Sequence, residues 1–273
     1  MRKLFNIIFF ISFTSFSQDY DKEVKYTLLG IAAGTNYYEA ISHFTKAIEA
    51  NPYNSSAYCH RGDSRRKIKD YDGAMEDYLQ IIDVSPNSNC GYMGRGLIKF
   101  ELENYEGAIL DFTKAIEIQP RNAATIYFYR GMSKVTLNDY YGAIADYTNS
   151  IINKPYDDDH DSTVYKARGN INHFLKNYNE AISDYTKAIE LNPNHVRAFF
   201  DRGNSKAFLE NYEGAISDYT KAIEINPSFA GAYGARGLVK ELLGDLTNAC
   251  ADWKKGAFLG NLDSKKWLKN NCN

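Results

Sequence analysis

The chain has 273 residues, with 32 basic and 34 acidic side chains and a formal net charge of -2. That balance supplies no general basic field to gather a phosphate backbone, so nucleic acid is not an expected partner. Length alone does not fix the number of domains, because a core built from units that touch only their neighbours can be extended indefinitely.

The chain opens with Arg2 and Lys3, an apolar run from Leu4 to Phe13, and then small polar Thr14, Ser15 and Ser17. This order of charged, apolar and small residues is that of a secretory signal over residues 1–17, with cleavage expected between Ser17 and Gln18. Its apolar core falls well short of the roughly 20 residues that a membrane-spanning helix needs. No cysteine follows it for lipid attachment. The expectation is a mature domain of residues 18–273, exported to the periplasm or the extracellular space, with no membrane span after cleavage. Export makes disulfides chemically permissible.

The rest of the chain is internally repetitive. The dipeptide Arg-Gly recurs at Arg61, Arg95, Arg130, Arg168, Arg202 and Arg236, at intervals of 34, 35, 38, 34 and 34 residues. In that frame the repeats are 21–54, 55–88, 89–122, 124–157, 162–195, 196–229 and 230–263. Position 8 is Gly62, Gly96, Gly131, Gly169, Gly203 and Gly237, with Leu28 in the first repeat; position 20 is always alanine, from Ala40 to Ala249. Small residues at fixed positions mark a seam where two helices approach closely. Position 24 is always aromatic (Phe44, Tyr78, Phe112, Tyr147, Tyr185, Tyr219, Trp253), on the same helical face as positions 20 and 27. Proline at position 32 stops the second helix of the first six repeats. Residues 264–271 read as a final capping helix, with Trp267 and Leu268 inward and Lys265, Lys266 and Lys269 outward.

Aromatic 4, glycine 8, aromatic 17, alanine 20, aromatic 24, small 27 and proline 32 at a 34-residue period resemble the tetratricopeptide repeat (TPR) family, here of the exported bacterial kind. The resemblance implies an all-α fold, a right-handed α-solenoid of about seven helical hairpins plus the capping helix. It also implies a non-enzymatic scaffold or adaptor that binds a peptide or helix of a partner in a concave groove lined by the first (A) helix of each hairpin. The alternative is a structural envelope-assembly component that works through its convex face or its ends.

Position 7 is arginine and position 23 aspartate in six repeats, giving Arg61 with Asp77, Arg95 with Asp111, Arg130 with Asp146, Arg168 with Asp184, Arg202 with Asp218 and Arg236 with Asp252. The first repeat has Thr27 and His43 instead. Partners that disappear together are expected to be structural ion pairs between the two helices of a hairpin. Cys250 and Cys272 lie symmetrically about residue 261 in an antiparallel hairpin and are the candidate disulfide. Cys59 and Cys90, at positions 5 and 2 of adjacent A helices, are read as two free buried thiols, with a second bridge as the alternative.

The family geometry makes A-helix positions 2, 5, 9, 12 and 13 the readable ones. They supply Met93, Leu97, Phe100, Phe128, Met132 and Val135, then Lys166, Asn170, His173, Phe174, Arg197, Phe200, Asn204 and Phe208. An apolar stripe passing into a mixed polar and aromatic patch suits a peptide or an amphipathic helix. The family's two-carboxylate clamp is not expected: Lys166 and Asn170 match its first positions, but Asp201, Gly231 and Ala235 do not. The five histidines show no metal-ligand spacing, and no phosphate loop or nucleophile elbow is present. The run Asp157 to Asp161 lacks the alternation of a calcium loop, and Asp161 or Ser162 is expected to cap the next helix. No catalytic residue, metal or cofactor is expected.

Overall fold

The computed structural model describes residues 19–153 and 158–272. The expected signal segment and its cleavage junction lie outside those residues, as do Pro155 and Asp157. Among the described residues the structure is entirely helical. The helices are α1 (residues 19–32), α2 (Tyr37–Ala50), α3 (Ser55–Lys67), α4 (Tyr71–Val84), α5 (Asn89–Glu101), α6 (Tyr105–Ile118), α7 (Ala124–Thr136), α8 (Tyr140–Ile152), α9 (Asp158–Phe174), α10 (Tyr178–Leu191), α11 (Val196–Phe208), α12 (Tyr212–Ile225), α13 (Ala230–Leu242), α14 (Leu246–Phe258) and α15 (Leu262–Asn271). They form two compact units, one ending at Asp139 and the other beginning at Tyr140. Within each, consecutive helices pack antiparallel and successive hairpins stack, the arrangement of a TPR solenoid.

Local chemistry explains each hairpin. Asn36, Asp70, Asn104, Asn211 and Asp245, all at position 16, cap the second helix by accepting from the backbone N–H three residues on. Each cap contributes about 1 kcal/mol. The residue before the cap turns the chain through the left-handed region at Lys69, Glu103, Asn138, Lys176, Glu210 and Gly244. Only Gly244 does so without a steric cost, since a Cβ there crowds the carbonyl.

The seam is as tight as the composition requires. A Cβ on Gly203 would stand 2.7 Å from the Tyr219 ring, and one on Gly94 would stand 2.2 Å from Tyr78. Alanines 74, 108, 143, 181, 215 and 249 are fully buried, as is Trp253.

The first hairpin departs from the expected register. Leu28 is exposed, and Gly30 meets the position-24 ring instead, with a Cβ placed 2.5 Å from Phe44. The connection of residues 33–36 is one residue longer than the three-residue connection of residues 68–70, which shifts the contact point along α1. A second correction concerns α9, which begins at Asp158, so Asp161 and Ser162 lie inside it rather than at its cap. Acidic residues suit the first turn of a helix, where the backbone N–H groups point outward, so the insertion extends α9 by a turn. Ser162 Oγ donates instead to the Ala188 carbonyl at 3.0 Å.

The structure joins Cys250 to Cys272, with Cα atoms 5.8 Å apart. It also joins Cys59 to Cys90, at 6.2 Å, which overturns the reading of two free thiols. The physical reason lies in α5, which carries Gly91 and Gly94 at positions 3 and 6, where most other repeats have side chains. The helix settles onto Tyr78 and Ile82 of α4, and this carries Cys90 to Cys59.

Candidate functional site

Repeat positions divide into those that build the hairpins and those free to meet a partner. The arginines at position 7 belong to the first group. Arg202 donates from Nε and Nη2 to both Asp218 oxygens, at 2.9 and 2.7 Å, and from Nη1 to Thr186 of the preceding repeat at 3.0 Å. Its guanidinium also lies 5.5 Å from the Phe199 ring one turn earlier. Arg61, Arg168 and Arg236 repeat this set with Asp77 and Thr45, Asp184 and Thr148, and Asp252 and Thr220. Arg95 binds Asp111 at 2.6 Å but has Leu79 where the others have threonine. Arg130 donates to Thr113 at 3.0 Å; its expected partner Asp146 belongs to the other unit and is buried there.

Five of these aspartates also hold a second group from position 11, unnoticed in the sequence. Arg65, Lys99, Lys206 and Lys240 approach Asp77, Asp111, Asp218 and Asp252 to 2.7–3.0 Å. In the α9–α10 hairpin the corresponding group is the neutral Asn172, 3.2 Å from Asp184. A buried carboxylate with two cations and an aromatic lid is a structural device and is closed to ligands.

Position 9 is divided between the two roles. In three of the four repeats with tyrosine at position 24, its hydroxyl bonds to a polar residue at position 9: Tyr78 to Asp63 at 2.7 Å, Tyr185 to Asn170 at 3.0 Å and Tyr219 to Asn204 at 2.8 Å; the fourth, Tyr147, has Met132 at that position. Where position 24 is Phe112, position 9 is Leu97, buried in the core. Burial pushes these tyrosine hydroxyls well above their ordinary range.

In the first unit Met93 and Leu97 line a pocket of about 380 Å³ together with Phe44, His60, Asp63, Arg66 and Lys67. Phe100 turns inward, its ring 5.6 Å from Tyr105 and 5.5 Å from Tyr129. Phe128 and Met132 are half-buried and belong to neither pocket described here. In the second unit Lys166, Asn170, His173, Arg197 and Asn204 converge on a pocket of about 420 Å³, joined by Phe174, Tyr185 and Asp201. Phe200 does not reach it, because its ring packs on Phe229 at 4.9 Å and on Tyr219 at 5.7 Å.

Asp201 was missed as a site residue, having been read only as a mismatch to the carboxylate clamp. Its Oδ2 lies 3.8 Å from Lys166 Nζ, and burial raises its carboxyl above the usual range despite that lysine and Arg197. The guanidinium of Arg197 lies 5.0 Å from the Phe229 ring and, among the described residues, has no carboxylate within ion-pair distance. With its amide oxygen toward Lys166, Asn170 accepts from Nζ at 3.0 Å. His173 Nδ1 is 2.8 Å from Ser205 Oγ, and His195 Nδ1 accepts from the Ala198 N–H at the start of α11. Burial lowers both imidazoles below their ordinary value, so both are neutral at pH near 7. The pocket therefore sets two permanent cations against one carboxylate.

Stacked helical hairpins, a closed ion-pair seam and variable pockets on the A helices define a repeat scaffold of the protein-interaction class. Sequence profiles of the tetratricopeptide repeat family match residues 55–88, 91–122, 162–195 and 196–229. The chain belongs to that family. Comparison with curated proteins gave no match.

Among solved structures, the C-terminal part of a TPR repeat-containing protein from Cytophaga hutchinsonii is similar over 90% of this chain and 99% of its own, with a TM-score of 0.72 and 20% identity. YrrB, described as a TPR protein with an unusual peptide-binding site, covers 71% of this chain, and 97% of YrrB is matched, with a TM-score of 0.62 and 24% identity. MamA covers 63%, with 97% of its chain matched, a TM-score of 0.57 and 24% identity. At these identities the likeness is one of fold.

Proposed function

We propose that the protein is an exported, non-enzymatic adaptor whose A-helix face in the second unit captures a peptide segment of a protein partner. The observation that carries this reading is the pocket around Asp201. Lys166 and Arg197 outnumber its one carboxylate, and the Arg197 guanidinium is held over Phe229 without an acidic partner. A peptide carboxylate would supply the missing anion, while the Asn204 amide N–H groups are placed to bond an extended backbone. The first-unit pocket on Met93 and Leu97 is a second place for an apolar side chain. Peptide binding by a protein of similar fold, YrrB, supports the assignment of class. Export rests on the N-terminal sequence and is supported by two disulfides, which persist in oxidising compartments.

The test is capture of the partner by the wild-type chain and by Lys166→Glu with Arg197→Glu. Loss of capture by a variant that still melts cooperatively is expected. Undiminished capture would move the site to the convex face or the ends, the envelope-assembly alternative.

A further inference from the structure

The exit end of the second unit carries a surface that the peptide-binding reading does not use. Phe258, the last residue of α14, and Leu262, the first of α15, are the two most exposed large hydrophobic side chains among the described residues, at 81% and 79%. Only Leu259, Gly260 and Asn261 separate them, so both project from one hairpin corner. A residue three or four positions away on a helix shares its face. Lys254 and Lys255 stand in that relation to Phe258, and Lys265 and Lys266 to Leu262; all four are exposed. Lys255 Nζ lies 5.4 Å from the Phe258 ring.

The corner's acids do not cancel this charge. Asp252 is already bound by Arg236 and Lys240, and Glu241 lies away from the corner, bonded to Asn271 at the other end of α15. Asp263 alone opposes the four lysines locally, which leaves +3. The 273 residues carry -2, or -4 once Arg2 and Lys3 leave with the signal segment, so removing the corner's +3 leaves -7 for the rest of the exported chain. An anionic surface would attract this corner and repel the remainder, which fixes an orientation. The corner is also held rigid: Cys250 is bonded to Cys272, Trp267 packs 5.7 Å from Trp253, and the Asn261 side chain caps α15 by accepting from Ser264 N–H at 2.7 Å.

We propose that this corner is a peripheral docking site for an anionic phospholipid bilayer, with Phe258 and Leu262 entering the headgroup region and the four lysines meeting lipid phosphates. Two protruding apolar side chains ringed by ammonium groups fit a deformable apolar medium beneath an anionic layer. The site is separate from the Asp201 pocket, so the two proposals stand or fall independently.

The test is flotation of the full chain, purified after export, with phosphatidylcholine vesicles containing or lacking phosphatidylglycerol. Binding is expected only with phosphatidylglycerol. Replacing all four lysines with glutamine should weaken it by roughly fivefold per lysine. Phe258→Ser with Leu262→Ser should weaken it by about tenfold or more. All six side chains are exposed, so a melting curve checks that the fold survives. A Phe258→Trp variant gives a local readout independent of residues 1–18: quenching of its fluorescence by brominated acyl chains is expected. No binding, or binding unchanged in both multiple variants, would overturn the proposal. Lysine-dependent binding without quenching would point to an acidic protein surface and overturn it as well. So would a vesicle-free dimer that the two serine substitutions abolish.

Discussion

The seam inside each hairpin and the A-helix face above it are made from the same helices, yet they differ in kind. Along the seam the chain repeats one solution: arginine 7 and aspartate 23 are joined by a second cation in four repeats and by Asn172 in one. On the face, neighbouring repeats differ, from Met93 and Leu97 to Lys166 and Asn170 to Arg197 and Asp201. Identical solutions answer an identical packing problem, whereas the changing residues are those the proposed adaptor would use to meet a partner. The difference teaches that stability and recognition should separate under mutation.

The largest effect is expected in the seam, where its one exception sharpens the comparison. Arg168→Ala leaves Asp184 with only the neutral Asn172, so it should cost about 3–5 kcal/mol in denaturant titration. Arg202→Ala leaves Lys206 2.8 Å from Asp218 and should cost about 2 kcal/mol. Equal losses would mean that the second cation contributes nothing.

Reduction of the Cys250–Cys272 bridge, or Cys250→Ser, should lower stability of the exit hairpin by about 3 kcal/mol, read by hydrogen exchange in α14 and α15. Gly94→Ala, which drives a Cβ into Tyr78, should cost about 1–3 kcal/mol and hinder formation of the Cys59–Cys90 bridge. Glu210→Gly, at a left-handed turn position, should raise stability by up to about 1 kcal/mol.

The smallest effect concerns pH. The His173 and His195 rings are depressed in the folded protein, so the unfolded chain takes up their protons first. Their contribution is whole above about pH 6.5 and is lost as pH falls through the depressed values. Asp201 is raised and acts with the opposite sign: its contribution is present below the ordinary carboxylate range and lost as pH rises through the raised value. The histidine contribution should therefore lower the melting temperature on mild acidification, read as the difference between wild type and His173→Gln with His195→Asn, the latter chosen to keep an acceptor at the start of α11.

Much of the fold was legible because its determinants are local and repeated. Glycine 8, alanine 20 and aromatic 24 of the repeat must recur for hairpins to close, and the joint absence of arginine and aspartate from the first repeat pointed to a pairing that five hairpins show at 2.6–2.7 Å. What was not legible depends on separations between helices. Cys59 and Cys90 meet because Gly91 and Gly94 let α5 sink onto Tyr78, a contact that no spacing in the chain encodes. The register of α1 follows from a single extra residue before α2. The threonine at repeat position 25 accepts from the arginine of the next repeat, a contact between hairpins that nothing within a single repeat signals. Asp201 and Phe200 exchanged roles: the aromatic expected in the groove packs inward on Phe229, and the acid counted as a mismatch faces the pocket.

The most direct measurement is in-cell crosslinking from a photoreactive side chain at Asn170, compared between the wild-type background and Lys166→Glu with Arg197→Glu, with a melting curve for each. The account predicts a covalent protein adduct that the double charge reversal abolishes while the chain still melts cooperatively. An adduct undiminished by the reversal, or one lost only together with the fold, would contradict it.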